Sequence, residues 1–82
     1  MMKITFTAEF KSVFFGIKDN LLKKRILKQI EKIRANSEVG KPMRYGRKGI
    51  RELYVKPFRL SYEFFKELDC IYILKLYHKK KQ

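Results

Sequence analysis

Cysteine, histidine and tryptophan are nearly missing from this 82-residue sequence: one Cys, one His and no Trp. A lone Cys70 cannot close an internal disulfide, and with only His78 beside it there are too few soft ligands for a zinc site. Metal-dependent chemistry is not expected, and nothing in the chain points to a cofactor. Cys70 itself reads as an ordinary strand cysteine or, without a neighbouring His or Asn in sequence, a poorly supported nucleophile. Acidic residues are scarce as well, 8 Asp and Glu against 21 Lys and Arg, for a formal net charge of +13. Solubility needs far less, so the excess implies an anionic partner, the plain alternative being a lysine-rich surface with no partner. No apolar run approaches the roughly 20 residues of a spanning helix, and no secretion signal opens the chain, so it is expected to work in the cytoplasm, away from membranes.

Large apolar side chains are plentiful. Seven Phe and five Tyr, within 45% hydrophobic residues, can fill one core. Two domains would leave each half too small to bury a core, so residues 1–82 are expected to form one domain. Met2 to Thr7 alternates Ile4 and Phe6 with polar neighbours, a short strand. Thr7 then suits a helix N-cap, and Phe10, Val13, Phe14 and Ile17 recur at helical spacing over Ala8 to Ile17. Asp19 suits a second cap. Leu22, Ile26, Ile30 and Ile33, reinforced by Leu21 and Leu27, form an apolar row, while Lys24, Lys28 and Lys32 run down the opposite side. Asn36 to Gly49 shows no period and contains three glycines and a proline, so it reads as a loop. Beyond it come Ile50 to Val55, a Lys56-Pro57 break, Phe58 to Phe65, a Lys66 to Asp69 turn and Cys70 to Tyr77, with Lys79 to Gln82 as a tail.

This order predicts an α+β fold: a strand, a two-helix hairpin, then a three-stranded antiparallel meander, with the helices on one face of a four-stranded sheet. The other face is left for function. Arg59, Ser61 and Glu63 are assigned to it, with Glu52 and Tyr54 from one neighbouring strand and Lys75 and Tyr77 from the other. Leu53, Val55, Leu60, Tyr62, Phe64, Ile71 and Ile73 cannot all share the opposite face without a bulge.

Charge concentrates between Lys41 and Arg59, where Lys41, Arg44, Arg47, Lys48, Arg51, Lys56 and Arg59 face the single acid Glu52. Tyr45, Tyr54 and Phe58 are interleaved with them. Basic groups with aromatic surfaces between them are how single-stranded RNA is gripped, by phosphate pairing and base stacking. The same pattern would also arise from a solvated loop beside strand aromatics.

The runs Gly49-Ile50-Arg51-Glu52-Leu53-Tyr54-Val55, Pro57-Phe58-Arg59-Leu60-Ser61-Tyr62-Glu63 and Tyr77-His78-Lys79-Lys80 resemble the RelE/ParE toxin superfamily. Its members carry an arginine strand of this kind, and the Glu52-Leu53 pair and the closing His78 with its lysines are similar to the HigB-type branch. The resemblance implies a metal-free messenger-RNA interferase that works on the ribosome and is held inactive by a cognate acidic antitoxin. It assigns Arg59 to the phosphate, with an ion pair to Glu52 or Glu63 as the structural alternative. His78 would protonate the leaving oxygen; within a regular last strand it falls on the face opposite Lys75 and Tyr77.

Glu52 and Ile50 depart from the basic residues of RelE-type members, leaving Glu52 as a general base or as the partner orienting Arg59. The C-terminal tyrosine of RelE-type members is also missing. Its RNA contacts pass to Tyr77, or to Arg44, Tyr45, Arg47 and Lys48, within a binding surface that includes Arg51, Tyr54, Lys75, Lys79 and Lys80. Two other functions stay open: a ParE-like toxin acting on DNA gyrase, and a non-catalytic RNA- or ribosome-binding module.

Overall fold

The computed structural model of the protein describes residues 2–43 and 49–78. Thr7 starts the first helix as expected: its side-chain oxygen accepts from the Phe10 amide at 3.1 Å, supplying a partner that the first turn cannot provide itself. It stands between strand β1 (Lys3–Phe6) and helix α1 (Ala8–Gly16). Asp19 does the same for α2 (Asn20–Ala35), accepting from the amides of Leu21 and Leu22 at 3.0 and 3.2 Å. The remaining strands are β2 (Lys41–Pro42), β3 (Ile50–Val55), β4 (Phe58–Phe65) and β5 (Cys70–His78), with one 3-10 turn (Lys66–Leu68) before β5.

The strands form one mixed sheet in the order β1-β5-β4-β3-β2. β1 runs parallel to β5, and the β2/β3, β3/β4 and β4/β5 pairs are antiparallel. The α+β architecture is the expected one, but the sheet is five strands wide rather than four. Lys41 and Pro42 pair with Glu52 and Arg51, and a two-residue strand is too short to show a period. Its proline is tolerated because β2 is an edge.

Leu22, Ile26, Ile30 and Ile33 of α2 are buried against Val55, Phe58, Leu60, Tyr62, Ile71, Ile73 and Leu76 of the sheet. Ile26 and Ile33 are fully enclosed, each contributing about 1.5–3 kcal/mol relative to an exposed side chain. Leu21 and Leu27 do not join this row; they are 71% and 48% exposed. In α1 only Phe10 is buried, stacked between Phe6 and Phe14 at centroid separations of 5.4 and 5.6 Å, while Val13 lies largely outside. Lys24, Lys28 and Lys32 are exposed along α2, and Arg25 ties that helix to the sheet by donating to the Lys56 carbonyl at 2.8 Å.

Tyr62 reaches through the core to hold the segment after α2. Its hydroxyl donates to the Ser37 carbonyl at 2.7 Å and accepts from the Gly40 amide at 2.9 Å. A Cβ at Gly40 would lie 2.8 Å from the Glu52 carbonyl oxygen and from the Tyr62 ring, so that backbone can pass only without a side chain. Burial raises the Tyr62 pKa above its ordinary 10.0, with Glu38 adding to the rise; the Gly40 hydrogen bond and Arg51 oppose it.

Candidate functional site

β4 supplies the centre of the open face: Leu60 and Tyr62 turn to the helices, and by strand parity Arg59 and Ser61 turn to the other side, where Ser61 is nonetheless buried. Residues directly opposite on neighbouring strands share a face, so register extends the site sideways. Arg59 lies between Tyr54 of β3 and Tyr77 of β5, and Ser61 lies between Glu52 and Lys75. The result is two cross-strand rows, Tyr54-Arg59-Tyr77 and Glu52-Ser61-Lys75, on the side away from the helices.

β5 reaches this arrangement only through a bulge. Ile71 and Ile73 are fully buried on the helix side, and strict alternation would send Lys75 and Tyr77 after them. Instead the register passes from Tyr62↔Ile73 to Ser61↔Lys75, leaving Leu74 as the extra residue. Leu76 then enters the core, and Lys75 and Tyr77 emerge beside Glu52 and Arg59.

The polar groups of the two rows converge on Glu52. Arg59 Nη1 donates to Glu52 Oε1 at 2.7 Å, and the Tyr77 hydroxyl donates to Glu52 Oε2. The Glu52 side chain is only 14% exposed against 30% for Arg59, so the carboxylate is sheltered while the guanidinium keeps an open flank. Arg59 Nε is buried and has no hydrogen-bond partner among the described residues. Tyr54, 55% exposed, and Lys75 flank the cluster. A carboxylate can accept a proton, a guanidinium can hold phosphate oxygens, and an exposed tyrosine can stack on a base.

Two expected members lie elsewhere. The bulge that brings Tyr77 to the open face also carries His78 to the opposite one, where it pairs with Phe58 with ring centroids 4.6 Å apart. Beyond the bulge β5 continues as a strand through His78, so the imidazole does not join Arg59. Arg51 alternates with Glu52 and also turns to the helix side, where its Nη1 donates to the carbonyls of Glu38 at 3.2 Å and Gly40 at 2.7 Å. It fastens the segment between α2 and β2 instead of extending the open face. Arg44, Tyr45, Arg47, Lys48, Lys79 and Lys80 lie outside the described residues.

The contact between Tyr77 and Glu52, 25 positions apart, was not anticipated. The signal for it was the conflict between buried Ile71 and Ile73 and outward Lys75 and Tyr77, which a bulge resolves. Among the described residues no three His, Cys, Asp or Glu side chains come together as a metal site, and no helix is long and apolar enough to cross a membrane.

Residues 4–82 match the family model described as ParE toxin of type II toxin-antitoxin system, parDE. The chain belongs to this toxin family, within the RelE/ParE superfamily. The toxin is similar in fold to the isolated Escherichia coli RelE toxin, with a TM-score of 0.82 at 8% identity, covering 100% of this chain and 88% of that one. It is also similar to a YoeB/ParE toxin from Agrobacterium tumefaciens, with a TM-score of 0.82 at 13% identity over 94% and 98% of the two chains. A metal-bound toxin from Helicobacter pylori gives a TM-score of 0.77 at 20% identity over 99% and 98%. No curated protein matches the toxin significantly by sequence.

Proposed function

We propose that the toxin is a messenger-RNA endoribonuclease that acts in the cytoplasm on translating ribosomes and stops protein synthesis. The observation that carries this reading is the sheltered carboxylate of Glu52 held 2.7 Å from Arg59 on the open face. In metal-independent RNA cleavage the 2′-oxygen attacks its own phosphorus, the P–O5′ bond breaks and a cyclic phosphate is left. Glu52 takes the 2′-hydroxyl proton, and Arg59 neutralises charge on the non-bridging oxygens as it develops. The departing 5′-oxygen must gain a proton, and the Lys75 ammonium stands one cross-strand row from Arg59. Tyr54 offers a stacking surface, and the net charge of +13 favours a polyanion.

Such an activity must be restrained in the cell. The similar RelE of Escherichia coli and YoeB of Staphylococcus aureus occur in complexes with RelB and YefM. An acidic antitoxin is the corresponding partner proposed here.

The family description as a parDE toxin favours a second reading, a ParE-like action on DNA gyrase. Brief induction of the toxin in cells separates the two. In-frame cuts within translated messages support the ribonuclease; intact RNA with linearised plasmid would support the gyrase reading and end the first.

A further inference from the structure

Glu52 has two carboxylate oxygens, and they are held by different groups from different strands. Arg59 Nη1 takes Oε1, and the Tyr77 hydroxyl takes Oε2. A guanidinium beside a carboxylate ordinarily favours the two-pronged geometry, in which two parallel N–H groups meet both oxygens. That geometry, which would use Nη1 and Nη2 together, is not adopted. With Oε1 on Nη1, the donor placed to take the second carboxylate oxygen is Nη2, and Tyr77 has already engaged that oxygen.

We propose that Tyr77 is a positioning residue that keeps the Glu52–Arg59 pair single-pronged, so that Glu52 stays aimed as a base and the guanidinium keeps donors for phosphate. The inference rests on the ribonuclease reading above. A carboxylate gripped at both oxygens cannot turn about its terminal bond, which otherwise has a broad torsional minimum. Released at Oε2, Glu52 would rotate toward Arg59 and close the pair upon itself. Both groups would then be spent on each other.

The placement of Tyr77 is built into the fold. Its ring is half-buried and directly opposite Arg59, and the skipped Leu74 sets its face. The extra residue is itself fastened: the Thr7 amide donates to the Ile73 carbonyl at 3.1 Å and the Thr7 hydroxyl to the Leu74 carbonyl at 2.6 Å. A tyrosine whose role was to stack on RNA would have no need of its hydroxyl on a carboxylate. The two roles therefore separate in kinetics: stacking acts on RNA affinity, positioning on turnover.

The test compares Tyr77→Phe, Glu52→Gln and the double variant, with kcat and KM measured for message cleavage on ribosomes and Kd for a single-stranded RNA. Tyr77→Phe is expected to lower kcat about tenfold, the scale of one hydrogen bond, with KM and Kd changed less than about twofold. In the Glu52→Gln background it should cost nothing further, because its effect passes through Glu52. As a readout independent of activity, the Arg59 Nη2–H resonances should shift downfield in Tyr77→Phe as the pair closes. Wild-type kcat in Tyr77→Phe with Glu52→Gln impaired would overturn the positioning role alone, and so would a raised KM or Kd at unchanged kcat. Unimpaired Glu52→Gln would remove the base assignment itself.

Discussion

The Thr7 hydroxyl lies 2.6 Å from the carbonyl oxygen of Leu74, the extra residue in the β5 bulge, and the same oxygen of Thr7 accepts from the Phe10 amide. One side chain thus starts α1 and fastens the irregularity that turns Tyr77 and Lys75 to the open face. Thr7→Val keeps the shape and loses both bonds. It should destabilise the toxin by about 1–3 kcal/mol in urea unfolding, combining a lost cap with a lost, partly buried bond. Message cleavage per folded molecule should fall as well, while Thr7→Ser should retain both properties. Full activity in a destabilised Thr7→Val would separate the cap from the bulge and refute the link.

Arg59→Ala removes the guanidinium from the phosphate site. Cleavage should drop about 100- to 1,000-fold, the usual loss for one charge-stabilising donor. Stability should fall by only about 1–2 kcal/mol, because the pair is partly solvated and Glu52 retains the Tyr77 hydroxyl. Arg59→Lys should restore little, since an ammonium lacks the planar fork. Cleavage within a few-fold of wild type in a folded Arg59→Ala would discard the assignment.

Tyr62→Phe leaves the Ser37 carbonyl and Gly40 amide without their partner and should cost about 1–3 kcal/mol. The cost should depend on pH. Tyr62 has a folded pKa raised above 10.0, so the folded state holds its proton more tightly than the unfolded chain does. The stabilisation is therefore fully present below about pH 10 and is lost as pH rises through the folded value. Urea unfolding of both proteins at pH 8 and pH 11 should show the gap narrowing at the higher pH. A constant gap would contradict the titration.

An acidic antitoxin should associate more slowly as salt rises, because a chain at +13 attracts it over a distance that ionic strength shortens. The screening length falls from about 10 Å at 0.1 M to about 3 Å at 1 M. The exposed row Lys24, Lys28 and Lys32 repels itself and gains from neutralisation. Stopped-flow mixing across that salt range tests the rate, and cleavage by the purified pair tests inhibition. A salt-independent rate, or a complex as active as the free toxin, would count against the charge argument.

Local chemistry was enough to read much of the fold from the sequence. Thr7 and Asp19 cap helices with oxygens that bond amides two or three positions away, and the α2 row Leu22, Ile26, Ile30 and Ile33 repeats within one element. Arg59 and Ser61 could be placed outward because β4 alternates regularly, and Glu52 followed by the same parity. That parity also turned Arg51 away, a consequence that the density of basic residues around it obscured.

Tertiary pairing decided the rest. Whether Leu27 meets the core depends on where α2 crosses the sheet, and β2 exists only because Arg51 and Glu52 lie beside Lys41 and Pro42. The face of Tyr77 and His78 depended on one skipped residue. The bulge expected from sequence concerned Leu53, Val55, Leu60, Tyr62, Phe64, Ile71 and Ile73, which share one face without it. The bulge that exists separates Ile73 from Lys75, and a bulge is a mismatch between two strands. Its place at Leu74 was set by β4 across the sheet and by Thr7, 67 positions away along the chain.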